Sequence, residues 1–335
     1  MEEYAFMGFS EVLHGLPRVL HLERRLKRML RRGDVDLFMP VDYPGLNLRL
    51  ARYARRYGVP VLYFISPQVW AWGGWRIRRM KGSIDLMAVI LPFEEEVYRD
   101  AGIPVVFIGH PMLGEIAEPE EPKRAPSRDD GFTVLLFPGS RKQEVDRLLP
   151  PVFGAVRILR DRFPRASFRL GLAPLISDDL AAVPEDLNGR IEITREGISE
   201  LGTAALVLAA SGTVTLQSAL SGTPMVVFYK TSVFTYAVGR KLVRIPHIAM
   251  PNVLAGRKIV PELIQEEMTP ERIAGEASAI LGDADRYRVM SAELAALRSR
   301  LEGAGGIPLV ARMALGLAGG GKAEEVMAAV RGGGA

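Results

Sequence analysis

The chain has no cysteine and only four histidines among its 335 residues. The first absence excludes a disulfide scaffold and any thiolate metal site, and makes a reducing cytoplasm the simplest compartment. The histidines are scattered, with neither zinc-ligand spacing nor a Ser-His-Asp arrangement. His14, His21 and His247 read as structural or exposed, whereas His110 lies in an inter-domain region where it could touch a substrate. No apolar run approaches ~18 residues, so no transmembrane helix is expected. The opening MEEYAFMGFS is acidic and lacks a basic n-region, so it does not read as a signal peptide. With 48% hydrophobic and 24% charged residues, the composition is that of an ordered globular protein long enough for two domains.

Net charge is only +4, but the basic residues are clustered. HLERRLKRMLRR (His21 to Arg32) carries six of them beside an apolar stripe of Val19, Leu22, Leu26 and Met29. A second cluster, Trp75 to Gly82, contains Arg76, Arg78 and Arg79 and follows Trp70 and Trp72. Basic, tryptophan-flanked amphipathic segments suit an anionic membrane surface or acyl chains. A solvated face over a core stripe explains the first cluster equally well, and Trp70 and Trp72 could be core residues. No nucleic-acid-binding motif accompanies the charge, so no nucleic-acid partner is expected.

The most informative stretch is LLFPGSRKQEV, Leu135 to Val145. A short apolar run stops at Pro138-Gly139, and Ser140-Arg141 opens an amphipathic segment towards Phe163: a strand, a tight turn and a helix N-terminus. Such a terminus presents unpaired amides and a positive dipole end to a phosphate. Gly139 admits close backbone approach, Ser140 is a good N-cap, and Arg141 can grip a diphosphate bidentately. A second such unit is LVLAASGTVTLQSAL, Leu206 to Leu220, where Ser211-Gly212-Thr213 forms the turn. Gln217 falls one helical turn beyond Thr213, within reach of a ribose or base. The plainer alternative leaves Gln217 solvated and Ser211 as a cap.

Short buried strands are read at Val35–Val41, Val59–Ile65, Ile84–Leu91 and Val105–Ile108, separated by helices at Leu46–Tyr57, Trp75–Lys81 and Glu94–Ala101. Glu115 to Gly131 is rich in proline and charge and reads as a linker. The alternation then resumes, with strands near Thr133, Ser167, Arg190, Leu206 and Met225. Beyond Glu271 the chain looks helical and ends in a Gly-rich tail with no legible chemistry. This order predicts two Rossmann-like, doubly wound α/β domains with parallel sheets: 1–114 and 132–270, joined by 115–131 and followed by 271–335. Asp34-Val-Asp36 has the spacing of a metal-binding DxD, but it merely leads into the first strand and such spacing is common by chance. Neither a metal nor a cofactor is expected.

Several motifs occur in a fixed order: MGFSEVL (Met7–Leu13), PVDYPGLNLRLA (Pro40–Ala51), SPQVWAW (Ser66–Trp72), LPFE (Leu91–Glu94), GHPM (Gly109–Met112), FPGSRKQEV, ASGTVTLQSAL, GTPMVVFY and Arg240 to Gln265, which contains MPNVLAG. From Met7 to about Gln265 this order resembles the lipid-A-disaccharide synthases, inverting glycosyltransferases of lipid A assembly. The resemblance implies a GT-B fold with an acceptor-side first domain and a UDP-sugar-binding second domain. It implies transfer of 2,3-diacylglucosamine from UDP to 2,3-diacylglucosamine 1-phosphate, giving a β-1,6-linked disaccharide. It also implies a cytoplasmic enzyme peripheral to the inner face of the inner membrane; a homodimer is compatible with this reading.

Inversion needs a base for the acceptor hydroxyl and stabilisation of the departing diphosphate. Asp42, at the carboxyl end of a predicted strand, matches the family's aspartate and is the candidate base; its alternative is a cap on the helix that follows. Arg141 matches the arginine of the family's PGSR turn. Asn252 matches an asparagine near the donor sugar, an assignment that rests on the resemblance. Many relatives carry Glu where this chain has Gln217. The family pattern also opens with a strand, a GEASGD-type turn and a helix ahead of MGF, so the first domain is expected to be incomplete at its N-terminus. The competing readings are a catalytically weak fragment that still binds UDP-sugar, and another GT-B UDP-sugar enzyme such as an epimerase, against which SPQVWAW and MPNVLAG argue.

Overall fold

The computed structural model describes residues 9–332, apart from 73, 75, 76, 78, 79, 120, 128, 129, 175, 233–235, 237–239 and 241–244. The chain divides into two compact units, Met1–Pro111 with Leu301–Ala335, and Met112–Arg300. Residues 115–131, read above as a linker, lie within the second unit, as do residues 271–300, whereas 301–335 return to the first.

In the first unit, strands β1 (Leu62–Phe64), β2 (Leu86–Val89) and β3 (Val105–Phe107) form a parallel sheet in that order. Leu62 is in register with Leu86 and Met87 with Val105. Because side chains alternate along a strand, Val61, Tyr63, Met87, Val89 and Val105 project into one core with Leu46, Leu50, Ala51 and Ala54 of the helix Pro44–Arg56. Leu62, Leu86, Ala88, Val106 and Ile108 project into the other, covered by Leu309, Met313 and Leu317 of the helix Gly306–Ala318 and by Val326 and Val330 of the helix Ala323–Gly332. A sheet buried on both faces explains why these strands read as unbroken apolar runs. The C-terminal segment, chemically silent in sequence, is the cover for one of those faces.

The chain returns to this unit where Gly109 and Gly303 pass each other. A Cβ on Gly109, which has φ +92, would stand 2.8 Å from the Gly303 amide nitrogen. His110 N donates to the Leu301 carbonyl at 2.9 Å and Gly306 N to the Ile108 carbonyl at 2.8 Å.

Two expectations for this unit need correction. The strand Val35–Val41 is reduced to two parallel bridges, Phe38 to Val61 and Val41 to Phe64. Pro40 has no N–H for a ladder, and Asp42 and Tyr43, both at φ 45, turn the chain out of the sheet. On the helix Phe9–Arg32, Val19, Leu22 and Leu26 pack on the core as read, but Met29 is 40% exposed and Leu30 takes its place. The step from 26 to 30 keeps to one helical face, whereas 29 drifts off it. Glu23, buried on this face, pairs with Lys27 at 2.7 Å and with Arg49 of the next helix at 3.0 Å.

The second unit has six parallel strands: β4 (Phe132–Phe137), β5 (Ala166–Gly171), β6 (Ile191–Thr194), β7 (Leu206–Ala210), β8 (Met225–Tyr229) and β9 (Glu262–Ile264), in the order β6-β5-β4-β7-β8-β9. The chain therefore winds outward in one direction from β4 and then in the other from β7, with β4 and β7 paired at Val134 and Leu206. A reversal of this kind leaves a crevice beyond the carboxyl ends of the two central strands. The five strands read from sequence are present; the sixth, β9, is three residues long and starts with a glutamate, too short and too polar for its pattern to show in the sequence. Lys123 pins the preceding segment to this unit. Its ammonium donates to the Leu201 and Ala204 carbonyls, each at 2.8 Å, and to Thr223 Oγ1 at 2.6 Å, while its amide donates to Ser291 Oγ at 2.7 Å. Burial lowers the Lys123 pKa to about 8.

Residues 284–318 have the length and apolarity of a membrane span. They form three helices, Ala284–Ala295, Leu297–Leu301 and Gly306–Ala318. The first buries Tyr287, Met290 and Leu294 in the second unit and the last buries Leu309, Met313 and Leu317 in the first.

Candidate active site

The crevice predicted by the strand order of the second unit is a pocket of about 370 Å³. Residues Gly139, Ser140 and Arg141 line it after β4, Gly171 to Pro174 after β5, Arg195 and Gly197 after β6, and Ser211, Gly212, Thr213 and Gln217 after β7. All seven pocket residues read from the two turns are thus brought together, and Thr213 and Gln217 share a helical face as their spacing requires. Phe137 packs its ring against Gly171 and Gly197, which leaves no space for a Cβ at Gly171.

The details of the turns differ from the sequence reading. Arg141, not Ser140, occupies the N-cap position of the helix Lys142–Arg162, with no side-chain cap. The organising group is Glu144. One of its oxygens accepts the Ser140 amide at 3.1 Å and the other pairs with the Arg141 guanidinium at 2.7 Å. Gly139 has φ +112, and a Cβ there would meet the Glu144 side chain at 2.6 Å, so the turn needs glycine on both counts. A glutamate three residues past the N-cap was the signal for this contact. Ser211 does not cap its helix either: its hydroxyl donates to the Ile248 carbonyl at 2.8 Å, and Gly212 takes the N-cap position. The pocket therefore combines the start of two helices with the Arg141 and Arg195 cations, the latter donating to the Ala173 carbonyl at 2.8 Å and pairing with Asp178. That is the environment of an anionic group flanked by hydrogen-bonding walls.

Asn252 is not among the residues lining this pocket. It is fully buried on the helix Met250–Ala255, and its carboxamide is committed. Oδ1 accepts the amides of Ile259 (2.7 Å) and Val260 (2.9 Å), while Nδ2 donates to the Val260 carbonyl (3.0 Å) and to Glu262 (2.9 Å). Glu262, buried and unremarked in sequence, also accepts the Ile248 and Ala249 amides at 3.1 and 2.8 Å. Asn252 and Glu262 thus fix the segment whose Ile248 carbonyl receives Ser211. His247 Nδ1 lies 3.8 Å from the second Glu262 oxygen.

In the first unit, Asp42 stands just past the bridge from Val41 to Phe64, at the carboxyl end of the sheet. Its side chain is exposed and does not cap the helix Pro44–Arg56, whose N-cap is Tyr43. The main chain of Asp42 is instead gripped from several sides. Its carbonyl accepts the Tyr63 hydroxyl at 2.6 Å and Asn47 Nδ2 at 2.7 Å, and its amide donates to the carbonyls of Phe64 (3.2 Å) and Ile65 (3.3 Å). Ile65 is also left-handed, at φ 58. For a β-branched residue this is a strained conformation, and strain of this kind clusters at functional sites.

Beside it, the SPQVWAW and LPFE motifs meet through one buried carboxylate. Glu94 accepts Ser66 Oγ at 2.6 Å, Trp70 Nε1 at 2.9 Å and the Leu91 amide at 3.1 Å, and its burial raises its pKa. Trp70 is half-buried and packs edge-on against Phe93, and its indole N–H points into the protein, onto Glu94. Trp75, Arg76, Arg78, Arg79 and the side chain of Trp72 lie outside the described residues. Burial pushes the His110 imidazole down to about 4, so it is neutral near pH 7.

The chain matches the family described as Lipid-A-disaccharide synthetase over residues 1–303. It is 42% identical to the lipid-A-disaccharide synthase of Syntrophus aciditrophicus over 325 residues, covering 94% of this chain and 84% of the relative. It is 43% identical to that of Trichlorobacter lovleyi over 310 residues, covering 90% and 81%. Among solved structures it is similar to the S. aureus MnaA–UDP co-structure (TM-score 0.58, 12% identity, 93% of this chain and 81% of that one). It is also similar to the glycotransferase of kitacinnamycin (TM-score 0.54, 17% identity, 89% and 80%). At such identities these structures speak for the fold alone, a GT-B arrangement of parallel α/β sheets.

Proposed function

From the premise that the chain belongs to the lipid-A-disaccharide synthase family, and is a glycosyltransferase that forms the lipid A disaccharide, we propose how its residues divide the work. The donor is UDP-2,3-diacylglucosamine and the acceptor 2,3-diacylglucosamine 1-phosphate. UDP occupies the pocket at the ends of β4 and β7, its diphosphate held by the Gly139–Arg141 and Ser211–Thr213 turns. Gln217 hydrogen-bonds the ribose through a neutral amide. Asn252 shapes the wall through Glu262 and Ile248 instead of touching the sugar. Asp42 removes the proton of the acceptor 6-hydroxyl as that oxygen attacks the anomeric carbon, and Arg141 stabilises the charge gathering on the departing UDP. His110, neutral near pH 7, serves as a hydrogen-bonding group and not as a counter-ion.

The observation that carries this reading is the convergence of two strand-to-helix turns and an arginine on one pocket at the sheet's switch point. We place the reaction of these acylated substrates at the cytoplasmic face of an anionic inner membrane, which the exposed arginines of the helix Phe9–Arg32 and the Trp70 to Arg79 region would contact. The direct test is to supply both lipid substrates in mixed micelles and follow UDP release and disaccharide formation together. Equimolar UDP and β-1,6 disaccharide are expected. Epimerised UDP-sugar, or UDP release without disaccharide, would reject the proposal.

A further inference from the structure

We propose that Tyr63 and Asn47 are positioning residues for transfer: they lock the main chain of Asp42 in a left-handed turn so that its carboxylate remains uncommitted. The inference rests on the reading of Asp42 as the base.

An aspartate just ahead of a helix ordinarily turns its carboxylate onto the free amides of the first turn. Here that outcome is blocked. Asp42 and Tyr43 both have φ 45, a conformation that side-chain-bearing residues rarely adopt and that persists only when the surroundings over-determine it. The surroundings do so through the main chain alone. The Asp42 carbonyl takes two side-chain donors, Tyr63 Oη at 2.6 Å and Asn47 Nδ2 at 2.7 Å, and Asn47 Nδ2 also reaches the Val41 carbonyl at 3.1 Å. The Asp42 amide is occupied by Phe64 and Ile65. With both backbone groups saturated, the exposed carboxylate has no hydrogen bond or ion pair among the described residues.

Tyr63 suits this task. It is fully buried on β1, one face over from the strand's other cover, and so cannot swing away. Burial, with the nearby Asp42 charge, raises the phenol's pKa, so the hydroxyl keeps the proton that it donates. Asn47 holds the same carbonyl from the first turn of the next helix, so the turn is clamped from the sheet and from the helix at once. Neither side chain is needed to fill the nucleotide pocket, and neither lines it.

The test is a double-mutant cycle on the full chain, reading turnover, KM for the UDP-sugar and UDP affinity. Tyr63→Phe keeps the ring and removes only the donor. It should lower kcat by ~10-fold, since small misplacements of a reacting group are costly, while KM and UDP affinity stay unchanged. Placed on an Asp42→Asn background, it should lower the residual turnover no further, because its effect runs through the base. Asn47→Ala should behave the same way and takes over the test if Tyr63→Phe does not fold. Unchanged kcat in both variants, or an equal fractional loss in the two backgrounds, would overturn the positioning role. Near-normal turnover of Asp42→Asn alone would instead remove the base assignment on which it stands.

Discussion

Glu144 holds Arg141 by a 2.7 Å ion pair, and its second oxygen occupies the Ser140 amide. The groups that a diphosphate would use at this turn are therefore already facing a carboxylate. A bound diphosphate has to share or displace it, which makes Arg141 a measurable part of nucleotide affinity. Arg141→Ala should weaken UDP binding by ~1.5–3 kcal/mol, the worth of a hydrogen bond to a charged group. Titration calorimetry on the folded variant checks this, and unchanged affinity would remove Arg141 from the site.

Asp42 acts on the transition state, not on donor binding. Asp42→Asn should lower turnover by ~100-fold or more, with UDP affinity nearly constant. A variant with near-normal turnover would reduce Asp42 to a turn residue.

Asn252→Ala should be felt first as instability. The change strands the Ile259 and Val260 amides and removes a donor from the buried Glu262 carboxylate. Leaving buried polar groups unpaired costs ~1–3 kcal/mol each, so urea unfolding should show a clear loss. If the variant instead unfolds like the parent and loses only activity, the side chain touches substrate directly.

Lys123 gives the second unit a distinct alkaline response. Its ammonium loses its proton at about 8 when folded and at 10.5 when free. Between those values the unfolded chain binds more protons, so raising the pH through that window favours folding. Lys123→Met lacks this dependence. The stability difference between parent and variant, measured by urea unfolding at about pH 7 and about pH 10, should move in favour of the parent at the higher pH. A difference that stays constant would mean that the three oxygens around Nζ keep it charged throughout.

Much of the second unit was legible in sequence, since β7 is buried throughout and β4 from Val134 to Phe137, and each of these parallel strands ends in a glycine-containing turn. Those features are local, and local chemistry is what a sequence displays. What stayed hidden is what depends on distant partners. Asn252 reads as a loop residue until β9 brings Glu262 beneath it. Tyr63 reads as an ordinary core aromatic until the strained turn at Asp42 brings a carbonyl within reach of its hydroxyl. Met29 and Leu30 exchanged places because a stripe read over three turns fixes the helical face only to within one residue. The bridges at Phe38 and Val41 read as a full strand because the apolar run outlasts the backbone geometry, which Pro40 interrupts.

The passage of Gly109 beside Gly303 has a consequence for the order in which the molecule is made. The second unit is one uninterrupted stretch of chain, whereas the first is built from both ends of it. On the ribosome, the face of β1–β3 that waits for Leu309, Met313 and Leu317 stays uncovered until those residues have been synthesised. Residues 112–300 are therefore all synthesised before the cover of the first unit is, so the nucleotide unit can close on itself while the unit bearing Asp42 remains open. The seating of 301–332 past a pair of glycines that admit no side chain can only follow the synthesis of the second unit. A nascent chain stopped just before that point would carry a complete pocket and an unfinished base.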